Sequence, residues 1–418
     1  MNPENPFFLP SESLSRDLLT HESSVSGAAF SEPLSRLEKE LARLEREHLR
    51  REIRSLEGAS GTHAEFQGRQ LLMMASNNYL NLTVHPVVRQ AAIEAISEFG
   101  AGSGGARLTT GSSRLHDELE AELARFKGVE SALLFNTGFM ANLGVISALC
   151  GPEDFIFSDQ LNHASIIDGC RLSKARTIVY RHGDPTDLEA KIREVGATRG
   201  LVVSDGIFSM DGDLAPLPEL SEIAHRNGLL LMIDEAHALG VIGKTGRGLE
   251  EHFGLPGVID VTIGTLSKAL GSEGGCVLGS RVLTEFLKNK ARSFIFSTSF
   301  SGATAAAALA ALRVLEEFPA LTENLRSNVR LFCEELTQNG IPASSQSAIV
   351  PLIAGSEEKT TQIANHLFER GIWVSAIRSP AVERGKARIR VTLNAAHSKE
   401  ELKKAAQMIA QAFQKFKE

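Results

Sequence analysis

The 418-residue sequence is poor in several features that mark functional classes. It has only four cysteines, which lie far apart without a CxxC pair, so neither a zinc site nor a disulfide framework is predicted. A reducing compartment fits this pattern. There is no excess of positive charge: 44 basic against 51 acidic residues give a net charge of -7, which argues against a nucleic-acid surface.

Long apolar runs are also missing. The most apolar stretch, residues 303–312, is too short and too rich in alanine to span a bilayer. The N-terminus carries acidic residues and lacks a basic start followed by an apolar run, so it resembles neither a secretory nor a transit peptide. We therefore expect a cytoplasmic protein that works without a membrane or a nucleic-acid partner.

The first 70 residues are predicted to form an N-terminal extension that includes one helix. Residues 1–33 mix Pro, Ser and Glu without a helical or strand period, which is typical of a loosely ordered segment. Leu34, Leu37, Leu41 and Leu44 then recur at helical spacing among Glu and Arg residues, which predicts an amphipathic helix. The pattern is too brief to support a heptad coiled coil.

Short apolar runs alternate with helical segments from about residue 70 to 300. This alternation predicts a large α/β domain over residues 71–305, with a mainly parallel sheet covered on both faces. Ligands of such sheets collect at the carboxyl ends of the strands. A smaller α+β domain is predicted over residues 306–418, with strands at 349–353, 372–376 and 388–393 and a helix from Lys399. The strands of the large domain are predicted at 131–135, 155–158, 177–180, 201–203, 229–233, 261–263 and 276–278.

Lys268 stands in the segment 264–271 (GTLSKALG), directly after a predicted strand. A lysine just beyond a buried strand can be desolvated, which lowers its pKa and makes the amine a nucleophile toward an aldehyde. Glycines on both sides let the backbone approach a bulky ligand. A lone lysine is usually a solvated surface charge, so this hypothesis depends on its neighbours.

An apolar strand ends in acidic residues and a histidine at 229–237 (LLLMIDEAH). Asp234 could bind a protonated pyridine nitrogen, and His237, three residues later, could reach the phenolate oxygen of the same ring. Acidic residues at a strand end can equally cap the next helix. The letters DEAH at 234–237 also occur in helicases, which need a GxxxxGK[ST] phosphate loop earlier in the chain. The nearest candidate, residues 243–245 (GKT), has Ala238 where the first glycine is required, and it follows the acidic strand end. The helicase alternative therefore fails.

Three weaker motifs add to this pattern. Residues 135–142 (FNTGFMAN) place a glycine turn between a strand and a helix, whose free amides would favour a phosphate. His163, in 162–165 (NHAS), offers a planar ring that could stack on a cofactor, although a buried histidine bonded to backbone is the alternative. Ser209 lies in 205–213 (DGIFSMDGD), where a simple turn is the default explanation.

Together these segments resemble the α-oxoamine synthase family of fold-type I PLP-dependent enzymes, from about Arg51 to the end of the chain. Three further motifs carry the resemblance: residues 75–80 (ASNNYL), 102–107 (GSGGAR) and 376–380 (AIRSP). It implies a large domain with a mainly parallel seven-stranded sheet, a smaller C-terminal α+β domain, and pyridoxal 5'-phosphate (PLP) as the cofactor. A homodimer with shared active sites is also implied.

The resemblance implies a role for each matching residue. Lys268 would bind PLP covalently, Asp234 would pair with the pyridine nitrogen, and His237 would bond the phenolate oxygen. His163 would stack on the ring. Further cofactor contacts are expected from Gly138, Phe139, Ser209, Thr265 and, from the neighbouring subunit, Thr298, and substrate contacts from Asn77 and Arg378 for the amino-acid carboxylate and Arg51 for the acyl group.

The implied activity is a decarboxylative condensation of an amino acid with an acyl thioester. Residues 158–163 and the Ala-Ile-Arg segment ending at Arg378 are most similar to members that join L-alanine to a pimeloyl thioester, of CoA or of a carrier protein, in biotin biosynthesis. Glycine C-acetyltransferase and serine palmitoyltransferase-like activities remain alternatives, because pocket shape decides chain length. Ala381 stands where relatives commonly carry threonine, so one hydroxyl contact to substrate is absent.

Two other functional classes are disfavoured. An aminotransferase or decarboxylase of the same fold would lack the glycine-rich segment 102–107. A scaffold without catalytic activity would have no reason to keep Lys268 together with Asp234 and His237.

Overall fold

The structure, a computed structural model, describes residues 32–417 and side chains from residue 34. Two units make up this chain: one ends at Arg51 and the other begins at Glu52. Helix α1 of the first unit spans Glu32–Arg46, which confirms the predicted amphipathic helix. The loosely ordered extension predicted before it lies almost entirely outside the described residues. The predicted domain limits near residues 70 and 305 stay predictions.

The second unit alternates strands and helices for most of its length. Its strands are β1 (His63–Phe66), β2 (Arg69–Met73), β3 (Ser131–Phe135), β4 (Phe155–Asp159), β5 (Arg176–Tyr180), β6 (Gly200–Asp205), β7 (Leu230–Asp234), β8 (Val261–Thr265), β9 (Gly275–Gly279), β10 (Ile349–Gly355), β11 (Ile372–Trp373), β12 (Ser375–Ile377) and β13 (Ala387–Thr392). Its helices are α2 (Pro86–Phe99), α3 (Arg114–Lys127), α4 (Gly138–Leu149), α5 (Ala164–Ser173), α6 (Pro185–Val195), α7 (Leu217–Arg226), α8 (Leu249–Phe253), α9 (Arg281–Lys290), α10 (Arg292–Ile295), α11 (Gly302–Glu317), α12 (Ala320–Gln338), α13 (Glu357–Glu369) and α14 (Lys399–Lys415).

Seven strands form the central sheet in the order β3-β9-β8-β7-β6-β4-β5. Strand β9 runs antiparallel to both neighbours, and the other neighbouring pairs are parallel. The predicted mainly parallel seven-stranded sheet is therefore confirmed. Each strand lies within two residues of its predicted limits.

The central strands are apolar throughout because both faces of the sheet are covered. Along β7, Leu231 and Ile233 belong to one hydrophobic core and Met232 to the other. Consecutive side chains of a strand point to opposite faces, so Leu231 and Ile233 are buried under one layer of helices and Met232 under the other. Polar residues are then confined to the strand ends, where β7 closes with Asp234.

The C-terminal part contains a three-stranded antiparallel sheet in the order β10-β13-β12. The single strand predicted at residues 372–376 is wrong: β11 pairs with β2, whereas β12 pairs with β13 in a different sheet. The chain passes from one sheet to the other at Val374. The apolar pattern of the sequence continues through this residue, so it gave no sign of the change. None of the helices between residues 32 and 417 combines the length and the apolar character needed to cross a membrane.

Candidate active site

A cavity of about 210 Å³ opens where the central strands end. Strands β6, β7 and β8 are parallel neighbours, so their carboxyl ends meet at one edge of the sheet. The cavity collects eight of the residues predicted from the sequence, which are Gly138, Phe139, His163, Ser209, Asp234, His237, Thr265 and Lys268.

Lys268 lies three residues beyond β8, and its side chain points into this cavity. Its Nζ atom is 2.8 Å from Nε2 of His237. Loss of solvent around the amine lowers the pKa of Lys268 to about 8, although the negative charges of Asp234 and Asp205 oppose this effect. A larger fraction of the amine is therefore neutral near physiological pH than in a solvated lysine, which makes it a better nucleophile.

Asp234 is held at the end of β7 by two hydrogen bonds. Its Oδ2 atom accepts from the Asn142 amide at 2.7 Å, and its Oδ1 atom accepts from the backbone N–H of Ala236 at 2.8 Å. The side chain is buried, so these bonds offset the cost of removing the charge from water. They also fix the direction in which the carboxylate faces the cavity.

Asp205 is a second buried carboxyl group that the sequence reasoning missed. It lies beside Asp234 in the pairing of β6 with β7, and it also lines the cavity. Burial, and then the charge of Asp234, raise the pKa of Asp205 well above its usual range. A signal was present, because Asp205 follows a predicted strand just as Asp234 does.

His163 caps the start of α5, with its ring open to the cavity. Its Nδ1 atom lies 2.7 Å from the Ser165 hydroxyl, and the ring stands edge-on to that of Phe139, with centroids 6.2 Å apart. Desolvation, together with the positive charge of Lys268, lowers the pKa of His163, while Asp234 opposes the shift. A neutral planar ring is thus available to stack on a flat ligand.

The start of helix α4 also lines the cavity and suits a phosphate group. Helix α4 begins at Gly138, and the side chain of Thr137 accepts the backbone N–H of Met140 at 3.0 Å, while the earlier amides have no acceptor within the helix. The Thr265 hydroxyl lies beside them and 2.8 Å from that of Ser267. A Cβ atom on Gly275 would fall 2.5 Å from the Gly138 nitrogen, so glycine is required where β9 passes this turn.

Asn77 belongs to a hydrogen-bonded group behind the cavity wall. The Arg390 guanidinium donates to Oδ1 of Asn77 at 3.1 Å, and the Tyr79 hydroxyl lies 3.2 Å from the same oxygen. That hydroxyl is also 2.5 Å from Nδ1 of His237. Arg390 is buried, and its Nε atom lacks a hydrogen-bond partner within the described chain. The sequence reasoning missed Arg390 and Tyr79, although a charged residue inside the predicted strand 388–393 was a usable signal.

Besides Asn77, three predicted residues are absent from the cavity lining. Arg378 follows β12 and contacts the Thr361 hydroxyl at 3.4 Å. Thr298 is exposed, and its backbone pairs with Ala106, so a contact made to a neighbouring subunit stays a prediction. Arg51 belongs to the first unit, and its role toward the acyl group also stays a prediction.

The chain is similar to known proteins over most of its length. Residues 69–409 match the family model for aminotransferase class I and II. The chain is 47% identical over 381 residues to the 8-amino-7-oxononanoate synthase of Citrifermentans bemidjiense (90% of this chain, 98% of the relative), and 45% identical over 372 residues to that of Symbiobacterium thermophilum (88% and 95%). A structure of serine palmitoyltransferase from S. paucimobilis with a bound PLP–myriocin aldimine superimposes with a TM-score of 0.86, at 31% identity over 92% of this chain and 98% of that one.

The family model spans most of the chain, and the identities extend over nearly the full length of these relatives. The cavity, with its lysine, paired carboxyl groups and histidines, lies within the matched segment. The chain therefore belongs to the aminotransferase class I and II family and, within it, to the α-oxoamine synthases.

Proposed function

We propose that this chain is a PLP-dependent 8-amino-7-oxononanoate synthase of biotin biosynthesis. It condenses L-alanine with a pimeloyl thioester and releases carbon dioxide and a free thiol. The curated relatives named 8-amino-7-oxononanoate synthase are 44–49% identical to this chain, which supports the synthase activity. Among solved structures, serine palmitoyltransferases are 31–32% identical and the synthase of Francisella tularensis is 28% identical, so the curated relatives carry this argument. The main structural observation behind this proposal is that Lys268 contacts His237 in a cavity that also contains the Asp234 carboxylate.

The residues present fit PLP at both ends of the cavity. A helix start with free amides and two hydroxyl groups offers donors to a phosphate, and Asp234 offers a carboxylate to a protonated ring nitrogen. The flat face of a pyridine ring suits the ring of His163. The Lys268 amine lies in the same cavity, 2.8 Å from Nε2 of the buried His237 ring.

When bound, PLP supplies an aldehyde that condenses with amines and a ring that delocalises the electron pair left at Cα. Lys268 would hold the cofactor through its amine. With a pKa lowered to about 8 chiefly by desolvation, the same amine would serve as the base for the Cα proton and as the acid that returns a proton to the product. Asp234 would pair with the protonated ring nitrogen through a carboxylate that two hydrogen bonds hold in place.

The amino-acid carboxylate would be bound by Asn77 and by a cation. Arg378 was predicted from the resemblance for this task, and Arg390 is a second candidate on the structure. Arg390 is buried, donates to Asn77, and keeps Nε unpaired. An unpaired buried donor is costly, so an anion at this position would satisfy it.

The active enzyme is proposed to be a cytoplasmic homodimer with shared sites. Thr298 is exposed in the single chain and does not line its own cavity, which suits a residue that serves the neighbouring subunit. Sedimentation analysis of the holoenzyme together with a Thr298→Ala variant tests this arrangement. A monomer with full activity would contradict it.

The substrate assignment is tested by measuring the release of free thiol. We expect faster release from pimeloyl-CoA with L-alanine than from acetyl-CoA with glycine or from palmitoyl-CoA with L-serine. The product of the first reaction should be identified by mass and should appear with one equivalent of carbon dioxide. The opposite ranking would move the assignment to one of the other α-oxoamine synthases.

A further inference from the structure

The second hydrogen-bond partner of His237 is Tyr79, a residue that does not itself line the cavity. Tyr79 is fully buried, and its hydroxyl lies 2.5 Å from Nδ1 of His237. The other ring nitrogen, Nε2, is 2.8 Å from the Lys268 amine. The imidazole therefore connects Tyr79 to the reactive lysine, and any effect of Tyr79 on the chemistry acts through this ring.

Tyr79 has one proton to donate and two acceptors within reach. Nδ1 of His237 is 2.5 Å away, whereas Oδ1 of Asn77 is 3.2 Å away and already accepts from Arg390 at 3.1 Å. Burial raises the pKa of Tyr79 to about 12 against the opposing charge of Arg390, so the hydroxyl keeps its proton at neutral pH. The shorter contact therefore receives the proton, and His237 accepts it at Nδ1.

His237 is neutral in these surroundings. Burial, and then the positive charges of Lys268, Arg390 and His163, hold the pKa of His237 well below its usual range. The acidic groups of the cavity, Asp234 and Asp205, act on the Lys268 amine. A neutral imidazole carries a single N–H, so a ring that accepts at Nδ1 has its proton on Nε2.

We propose that Tyr79 is a positioning residue that fixes His237 in the tautomer with its proton on Nε2, available to the ring oxygen of a cofactor attached to Lys268. The inference rests on the proposed function, because it takes PLP as the attached group. Hydrogen bonds in a chain polarise one another, so the bond accepted at Nδ1 strengthens the one donated from Nε2. A stronger donor stabilises negative charge on the ring oxygen and thereby holds down the pKa of the lysine–cofactor linkage.

The test compares two variants that each remove one buried tyrosine hydroxyl. The chain has two tyrosines, and Tyr180, at the end of β5, is as deeply buried as Tyr79 but does not line the cavity. Holoenzyme carrying Tyr79→Phe or Tyr180→Phe is titrated with pH while the visible absorbance of the lysine-linked cofactor is recorded. We expect the pKa of that chromophore to rise by about 0.5 unit, roughly a threefold change, in Tyr79→Phe and to match wild type in Tyr180→Phe.

Equal titration curves for both variants would overturn the proposal, even if Tyr79→Phe lowered the melting temperature, because a merely structural residue would lower stability without moving the chromophore. A second measurement needs no Tyr79 variant. Wild-type holoenzyme labelled with 15N-histidine, with His237 assigned through His237→Asn, should show Nδ1 unprotonated and Nε2 protonated. The reverse pattern would also overturn the proposal.

These readouts separate the inference from the proposed function. They follow the colour and the tautomer of resting holoenzyme and need neither alanine nor an acyl thioester. Holoenzyme that binds PLP on Lys268 but prefers another pair of substrates would contradict the proposed activity, while the comparison of Tyr79→Phe with Tyr180→Phe would still decide the role of Tyr79.

Discussion

Oδ2 of Asp205 accepts the backbone N–H of His163 at 2.7 Å. The backbone N–H of Asp205 in turn donates to the side chain of Asn162 at 2.8 Å, so two bonds join the end of β6 to the turn before α5. His163, which follows β4, is therefore held at the cavity by Asp205 at the end of β6. The contact needs only one acceptor atom of Asp205 for the His163 N–H. A neutral carboxyl group or an amide could supply the same atom.

Two substitutions of Asp205 separate its acceptor from its charge. Asp205→Asn keeps an oxygen for the His163 N–H, so we expect cofactor release within about threefold of wild type. Asp205→Ala leaves that N–H unpaired at a cost of about 1–3 kcal/mol, and release should be faster by about tenfold. The rate is measured from the loss of visible absorbance in the presence of a PLP scavenger. Release that is equally fast in both variants and faster than in wild type would show that the charge, and not the bond, matters.

A second set of contacts, made by His182, holds the loop that carries Ser209. His182 contacts Oδ1 of Asp159 at 3.0 Å and Oδ2 of Asp213 at 2.9 Å, and its ring stands edge-on to Phe208, with centroids 4.4 Å apart. Hydrogen bonds to the two carboxylates raise the pKa of His182 to about 10. The charged ring thus ties the end of β4, which leads to His163, to the Ser209 loop.

The stability supplied by His182 should depend on pH. Its folded-state pKa lies above the ordinary 6.5, so its contribution is fully present below pH 6.5 and is lost as the pH rises through about 10. We expect His182→Asn to lower the melting temperature of the holoenzyme most below pH 6.5 and least above pH 10. The control is His225→Asn, because His225 pairs with Asp260 at 3.0 Å next to the start of β8, and neither residue lines the cavity. Faster loss of PLP from His182→Asn alone would indicate that the Ser209 loop has loosened.

The parts of the fold that the sequence predicted correctly are those in which neighbours along the chain carry the signal. A strand buried on both faces is a continuous apolar run, and a polar residue directly after it marks the cavity edge of the sheet. Lys268, Asp234 and Ser209 were identified in this way or through the family resemblance, and the structure brings them to one cavity.

The parts that were missed depend on contacts between distant segments. Arg390 reaches Asn77 across 313 positions of the chain, and Tyr79 reaches His237 across 158, so no local pattern shows either contact. The hairpin of β1 and β2 turns at Gln67 and Gly68, both with positive φ, within a segment too short to show a strand period. Periodicity alone could not show that the chain leaves one sheet for another at Val374.

The lowered pKa of Lys268 predicts how fast the apoenzyme takes up its cofactor. Only the neutral amine attacks an aldehyde, and its pKa is lowered to about 8 by desolvation first. Raising the pH from 7 to 9 should therefore increase the rate of PLP incorporation by about tenfold, with little further gain above pH 9. Stopped-flow absorbance records the rate. The charge of Asp234 raises this pKa, so Asp234→Asn should move the midpoint to lower pH, and an unmoved midpoint would contradict the assigned contact.

Removing the Lys268 amine should separate cofactor binding from catalysis. Lys268→Ala keeps the helix start, the hydroxyls and Asp234, so PLP should still bind, but without a covalent link and without the visible absorbance of that link. Synthase activity should fall by about a thousandfold or more, because the group that moves the Cα proton is lost. The matched control is Lys290→Ala, an exposed lysine at the end of α9. Borohydride reduction followed by peptide mass analysis should find the cofactor on residue 268 in the wild type and in Lys290→Ala. In Lys268→Ala the cofactor should be found on neither residue 268 nor residue 290. A reduced cofactor on another lysine of the wild type would refute the assignment.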